Sequence, residues 1–96
     1  MSEVVEKAVA ALSEKMGDDG FDGSVKIDIE GEGSIMIDEN GVAEGDGEAD
    51  CTLSADAETF QAILDGETNA TAAFMGGDLK MDGDMSTAMK LGAILG

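Results

Sequence analysis

The chain has 96 residues, 43% of them hydrophobic, with 22 acids against five lysines, a formal charge of −17, and no histidine, proline, tryptophan or tyrosine. That is one small domain, too apolar for disorder and small enough that a large internal cavity would strain it. The charge excludes nucleic acid and a polybasic dock on anionic lipid, since both rest on basic contacts to phosphate.

Residues Ser2–Met16 read as a helix, with Ser2 as its cap and Gly17 as its stop. Val5, Ala8, Val9, Leu12 and Met16 share one face, Glu3 and Glu6 suit the positive end of the helix dipole, and Lys15 suits the negative end. The outer face is acidic, so the helix is expected to dock on a sheet, not on a membrane. Asp18–Gly23 is a loop rich in glycine and aspartate, with Phe21 expected to plug one end of the core. As a calcium loop it fails: Gly20 fills the third position and Ile29 the twelfth, where a bidentate glutamate belongs.

Ser24–Glu30 alternates cleanly, with Val25, Ile27 and Ile29 on one face and Lys26, Asp28 and Glu30 on the other. After the turn Gly31-Glu32-Gly33, Ser34–Asp38 turns Ile35 and Ile37 inward, and the two runs read as an antiparallel hairpin with one wet face. Asn40-Gly41 turns the chain into a short strand around Val42–Glu44, and Ala49–Ser54 supplies another. Cys51, the single cysteine, lies there beside Leu53. It reads as a small buried hydrophobe, because no histidine is present to activate it.

Asp56 caps a helix over Ala57–Asp65 with Phe60, Ile63 and Leu64 as its apolar face, and Gly66 ends it. Thr68 or Asn69 caps a short helix through Ala72–Met75 that Gly76-Gly77 stops. Asp78–Asp82 alternates, Leu79 and Met81 against Lys80 and Asp82. Asp82-Gly83 then reads as a turn, and Asp84 caps a last helix with Met85, Ala88, Met89 and Leu95 on one face. Helix, four strands, two helices, strand and helix make an α+β fold with one sheet covered on one face.

Three blocks in the last third, Asn69–Phe74 (NATAAF), Gly77–Gly83 (GDLKMDG) and Asp84–Leu91 (DMSTAMKL), resemble the C-terminal signature of the sterol carrier protein-2 family. Ala49–Ser54 (ADCTLS) and Phe60–Gly66 (FQAILDG) resemble the strand and helix that precede it there. The resemblance is close from Asp50 to Leu91 and looser before that. Where the family usually has proline after the asparagine, this chain has Ala70, which removes no chemical group.

The resemblance implies a mixed, mostly antiparallel five-stranded sheet with helices packed on one face, enclosing an apolar tunnel for fatty acids, sterols or related lipids. Residues 1–96 would form a single lipid-binding domain that carries its cargo without catalysis. The tunnel is expected between the sheet face and the last two helices. Its expected lining is Phe60, Leu64, Phe74, Met75, Leu79, Met81, Met85, Met89 and Leu91. A dry cavity of ~300 Å³ would cost ~7 kcal/mol at ~24 cal/mol per Å³. That is comparable with the whole stability of a small domain, so the pocket is expected to be filled, hydrated at its mouth or partly collapsed. The terminal helix, flanked by Gly83 and Gly92, is the expected moving part.

No catalytic, metal or cofactor motif emerges: without histidine there is no triad, and the glycine-rich runs lack Walker or dinucleotide spacing. The acidic field favours neutral lipids or single-carboxylate fatty acids over acyl-CoA, whose head group brings several negative charges. No apolar run of about 20 residues or signal-peptide pattern stands in the chain, and Ile94-Leu95-Gly96 is not a peroxisomal address. A soluble protein of the cytoplasm without stable membrane insertion is therefore expected. Two other readings stand beside the carrier: an interaction module of the same fold with a filled core, and an acidic cation-binding protein.

Overall fold

The alternation of Val25, Ile27 and Ile29 with charged neighbours becomes β1 (Val25–Glu30), the central strand of the computed structural model. The structure describes residues 3–16 and 20–95, with 94 and 95 as backbone only. β2 (Gly33–Asp38) pairs antiparallel with β1, setting Ile35 and Ile37 opposite Ile27 and Val25. β3 (Gly41–Glu44) lies antiparallel outside β2. On the other side β4 (Cys51–Asp56) runs parallel to β1, with Cys51, Leu53 and Ala55 opposite Val25, Ile27 and Ile29. β5 (Lys80–Gly83) closes the far edge antiparallel to β4. The order β3-β2-β1-β4-β5 is the expected mixed, mostly antiparallel five-stranded sheet.

A parallel neighbour cannot be reached by a hairpin. The chain leaving β3 must therefore cross β2 and β1 to start β4, and it does so over the face opposite the helices. Gly45 N–H donates to the Ser34 carbonyl at 3.1 Å, Asp46 pairs with Lys26, and Gly45 approaches the side chain of Met36. That segment half-buries Met36 on an otherwise polar face.

The opposite face carries the core: Val25, Ile27, Ile29, Ile35, Ile37, Cys51, Leu53 and Ala55 are all buried. α1 (Glu3–Met16) lays Val5, Ala8, Leu12 and Met16 on it, with Val9 half-buried beside them. α2 (Ala57–Asp65) adds Phe60 and Ile63, and α4 (Met85–Leu95) adds Leu91. Phe21 is buried at one end of the core, as its size predicts, and its N–H donates to the Asp38 carbonyl at 3.1 Å.

Several boundaries shift by one or two residues from the sequence reading, β5 among them, which starts at Lys80 and not at Asp78; two shifts bear on the site. The strand expected over Ala49–Ser54 starts at Cys51 and runs to Asp56, so β4 enters α2 with no loop. Asp50 is instead held by Ser24: its N–H donates to Ser24 Oγ at 2.9 Å. Gly83, expected in a turn, is the last residue of β5 and pairs with Cys51. Its φ of +104° and the space around it require glycine, because a Cβ there would stand 2.5 Å from the Asp50 carbonyl oxygen. The Ser2 cap, the Gly17 stop, the loop start at Asp18 and the side chains of Ile94 and Leu95 lie outside the described residues.

Candidate functional site

Asn69 fixes one wall of a cleft. Its Oδ1 accepts from the N–H groups of Thr71 (2.8 Å) and Ala72 (3.4 Å), starting α3 (Ala70–Gly76). Gly77, with φ 86°, ends that helix in the left-handed conformation that glycine takes without strain. The N–H groups of Asp78 and Leu79 donate back to the Ala73 carbonyl, at 2.9 and 3.1 Å, so the chain turns at once into β5. Buried Ala70 and Ala73 seat α3 on the core, which leaves Phe74 and Met75 on its outer side.

α4 supplies the facing wall. Asp84 starts it: Oδ1 accepts from Ser86 N–H at 3.1 Å, and Oδ2 accepts from Thr87 Oγ1 at 2.7 Å. The helix carries two stripes. Thr87 and Leu91, at i and i+4, are buried against the fold, while Met85, Ala88, Met89 and Gly92 turn to the cleft. Leu79, Met81 and Leu53 form the floor, and Leu53 stands directly across the sheet from Met81.

The resulting cleft has a volume of about 650 Å³, within the range of small-molecule sites. None of its lining residues titrates; Asn69 and Thr71 are its polar side chains. Its mouth is open, since Phe74 is 42% exposed, Met85 55%, Met89 70% and Met75 81%. Side chains this large and apolar are rarely left so open in one patch without a partner.

Six of the nine expected lining residues meet here: Phe74, Met75, Leu79, Met81, Met85 and Met89. The other three do not. Leu91 is fully buried beneath α4. Phe60, almost fully buried, and Leu64, half-buried, border a smaller groove of about 250 Å³ between α1 and α2. Their helical stripe marked them as inward-facing, and α1, not the cleft, lies against that side. Leu53, Ala70, Ala88 and Ala93, with Asn69, Thr71 and Gly92, also border the cleft and were not among the nine. Ala88 was legible as the i+3 neighbour of Met85, and Leu53 follows once β4 and β5 are paired.

The chemistry available is apolar. Cys51 is buried next to the floor, and burial pushes its thiol up, helped by the carboxylates of Asp84, Asp82 and Asp50. Both its burial and that upward shift disfavour the thiolate, the nucleophilic form. Among the described residues no cluster of three or more cysteine, aspartate or glutamate side chains is arranged to hold a metal ion, and no helix is long and apolar enough to cross a membrane.

Known proteins share this fold. Human sterol carrier protein 2 is 33% identical over 84 residues, which is 86% of this chain and 14% of that protein. Hydroxysteroid dehydrogenase-like protein 2 of Xenopus laevis is 43% identical over 64 residues, 65% of this chain and 15% of that one. The chain thus spans about one-seventh of the length of these relatives. Among solved structures, sterol carrier protein-2 of Aedes aegypti in complex with the C16 fatty acid palmitate superposes with a TM-score of 0.78, at 19% identity, covering 99% of this chain and 96% of that one. The model of the SCP-2 sterol transfer family matches residues 6–96, and the chain belongs to that family.

Proposed function

We propose that residues 1–96 act as one lipid-binding domain that takes a single slender lipid, a fatty acid or a neutral sterol-like molecule, into the cleft between α3, α4 and the β4–β5 edge, and carries it unchanged. The observation that carries this reading is the lining: about 650 Å³ walled by apolar side chains with no ionisable group among them. Such a site offers shape and desolvation, worth ~25 cal/mol per Å² of apolar surface buried, and no acid, base or nucleophile for catalysis. The palmitate complex of the Aedes aegypti protein supports the ligand class, since that protein shares the fold.

The cleft lining holds no lysine, and the chain carries −17 overall. A head group with several negative charges has nothing to pair with here and meets a repulsive field. Neutral lipids and single-carboxylate fatty acids therefore fit better than acyl-CoA. α4 is the proposed moving wall.

The test is displacement of a fluorescent fatty acid from delipidated protein, with fatty acids, a sterol and acyl-CoA as competitors at low and high salt. Saturable binding near one site per chain, with acyl-CoA the weakest competitor at low salt, is expected. No binding at either salt would overturn the carrier reading and leave an interaction module of the same fold.

A further inference from the structure

We infer that the thioethers of Met75, Met85 and Met89 form a peroxide-sensitive modification site whose oxidation closes the cleft to lipid. The inference rests on the lipid-carrier reading of that cleft.

Exposure is the first argument. Met75, Met89 and Met85 are 81, 70 and 55% exposed. Met16 is only 9% exposed, Met36 is half-buried beneath the crossing segment, and Met81 is half-buried in the cleft floor. Among the described residues a peroxide therefore meets three well-exposed sulfurs, all on the walls of one cleft. Cys51, the sulfur that usually competes for oxidant, is buried and held as its thiol, and only the thiolate reacts readily. Sulfur oxidation in this protein is thus directed to the methionines.

The step is a two-electron oxygen transfer. The thioether lone pair attacks one oxygen of hydrogen peroxide, the O–O bond breaks, an S–O bond forms, and the remaining oxygen leaves as water once its protons are redistributed. The product is methionine sulfoxide, a polar group in place of an apolar one. The cleft's polar side chains are Asn69 and Thr71, and the Asn69 carbonyl oxygen already caps α3. Three sulfoxide oxygens have too few donors there, and an acyl chain laid over them would bury them without hydrogen bonds. The fold itself is spared, because the modified side chains lie outside the core.

The experiment treats delipidated protein with excess hydrogen peroxide, maps added oxygen by peptide mass spectrometry, and measures the affinity for a fluorescent C16 fatty acid before and after. Oxygen is expected on Met75, Met85 and Met89 ahead of Met16. Affinity is expected to fall at least about tenfold with the melting curve still cooperative, and to return after treatment with both methionine sulfoxide reductases and a dithiol. The combined variant Met75→Leu, Met85→Leu and Met89→Leu keeps the apolar volume without the three sulfurs; whatever its starting affinity for the fatty acid, that affinity is expected not to fall on peroxide treatment. Retained affinity in wild type oxidised at all three positions overturns the inference alone, as does equal loss in the leucine variant. Failure of the untreated protein to take up the fatty acid overturns the carrier reading, and this inference with it.

Discussion

Ser24 and Asp50 exchange two hydrogen bonds: Asp50 N–H donates to Ser24 Oγ at 2.9 Å, and Ser24 N–H donates to Asp50 Oδ2 at 3.3 Å. The Asp50 carbonyl in turn accepts from Asp84 N–H at 2.9 Å. One residue thus ties the starts of β1, β4 and α4. The last of these carries a wall of the cleft.

Removing either half of the exchange is expected to cost about 1 kcal/mol. For a domain of this size that lowers the melting temperature by roughly 4–8 °C. Ser24→Ala and Asp50→Ala should both show it in thermal melts. Asp50→Asn, which keeps a carbonyl acceptor, should lose less. A wild-type melting curve for Asp50→Ala would mean that the exchange contributes nothing.

Gly83 and Gly66 separate conformation from space. Both have positive φ, but a Cβ on Gly66 meets nothing within 4 Å, whereas one on Gly83 meets the Asp50 carbonyl oxygen at 2.5 Å and Cys51 Cα at 3.0 Å. Gly66→Ala should cost about 1–2 kcal/mol for the left-handed backbone alone. Gly83→Ala should cost clearly more, because the β4–β5 edge must separate to admit the methyl. Urea unfolding of the two variants checks the order, and equal midpoints would contradict it.

Asp56 predicts a pH dependence. Its carboxylate caps α2 by accepting from Thr59 N–H at 2.7 Å, and the bonds from Thr59, the backbone one first, hold its pKa below the ordinary aspartate value. A folded pKa below the unfolded one stabilises the fold above the unfolded value, and that contribution is lost as pH falls through the folded value. Wild type should therefore exceed Asp56→Ala in stability at neutral pH, and the two should converge in acid below about pH 4. Urea midpoints measured across that range test the sign. A gap that widens in acid would refute the assignment.

The cleft predicts a dependence on ligand length. Each buried methylene contributes ~0.8 kcal/mol, so two more carbons should tighten binding by roughly tenfold or slightly more, until the chain outgrows about 650 Å³. Ala88→Phe should weaken binding by at least about tenfold by filling the cleft, with little effect on melting, since Ala88 is only half-buried. Calorimetry across a fatty-acid series measures both. A flat series would place the ligand elsewhere.

Much of the fold was legible because caps and periodicity are local. Asp56 and Asn69 stand where short acceptors must stand to satisfy the first N–H groups of a helix, and Gly66 and Gly77 stand where left-handed residues end one. The alternation in Val25–Glu30 marked a two-faced strand in the same way. The lining was legible only in part. Phe60 and Leu64 carry the same kind of apolar stripe as Met85 and Met89, yet the first pair borders α1 and the second the cleft. Thr87 is polar by type and gave no sign of burial, although a bond to Asp84 satisfies its hydroxyl inside the fold.

By itself the sequence determined the order of strands and helices, where most of them start and stop, the acidic field, and the absence of histidine chemistry. Those follow from residue types and backbone torsions within a few positions of each other. Only the tertiary structure decided that β4 lies parallel to β1, that Gly83 must pass against the Asp50 carbonyl, and which apolar stripe borders the cleft. These depend on strand pairing between residues 26 to 32 positions apart. Local periodicity says that a side chain turns inward, and the register of distant strands says what it meets there.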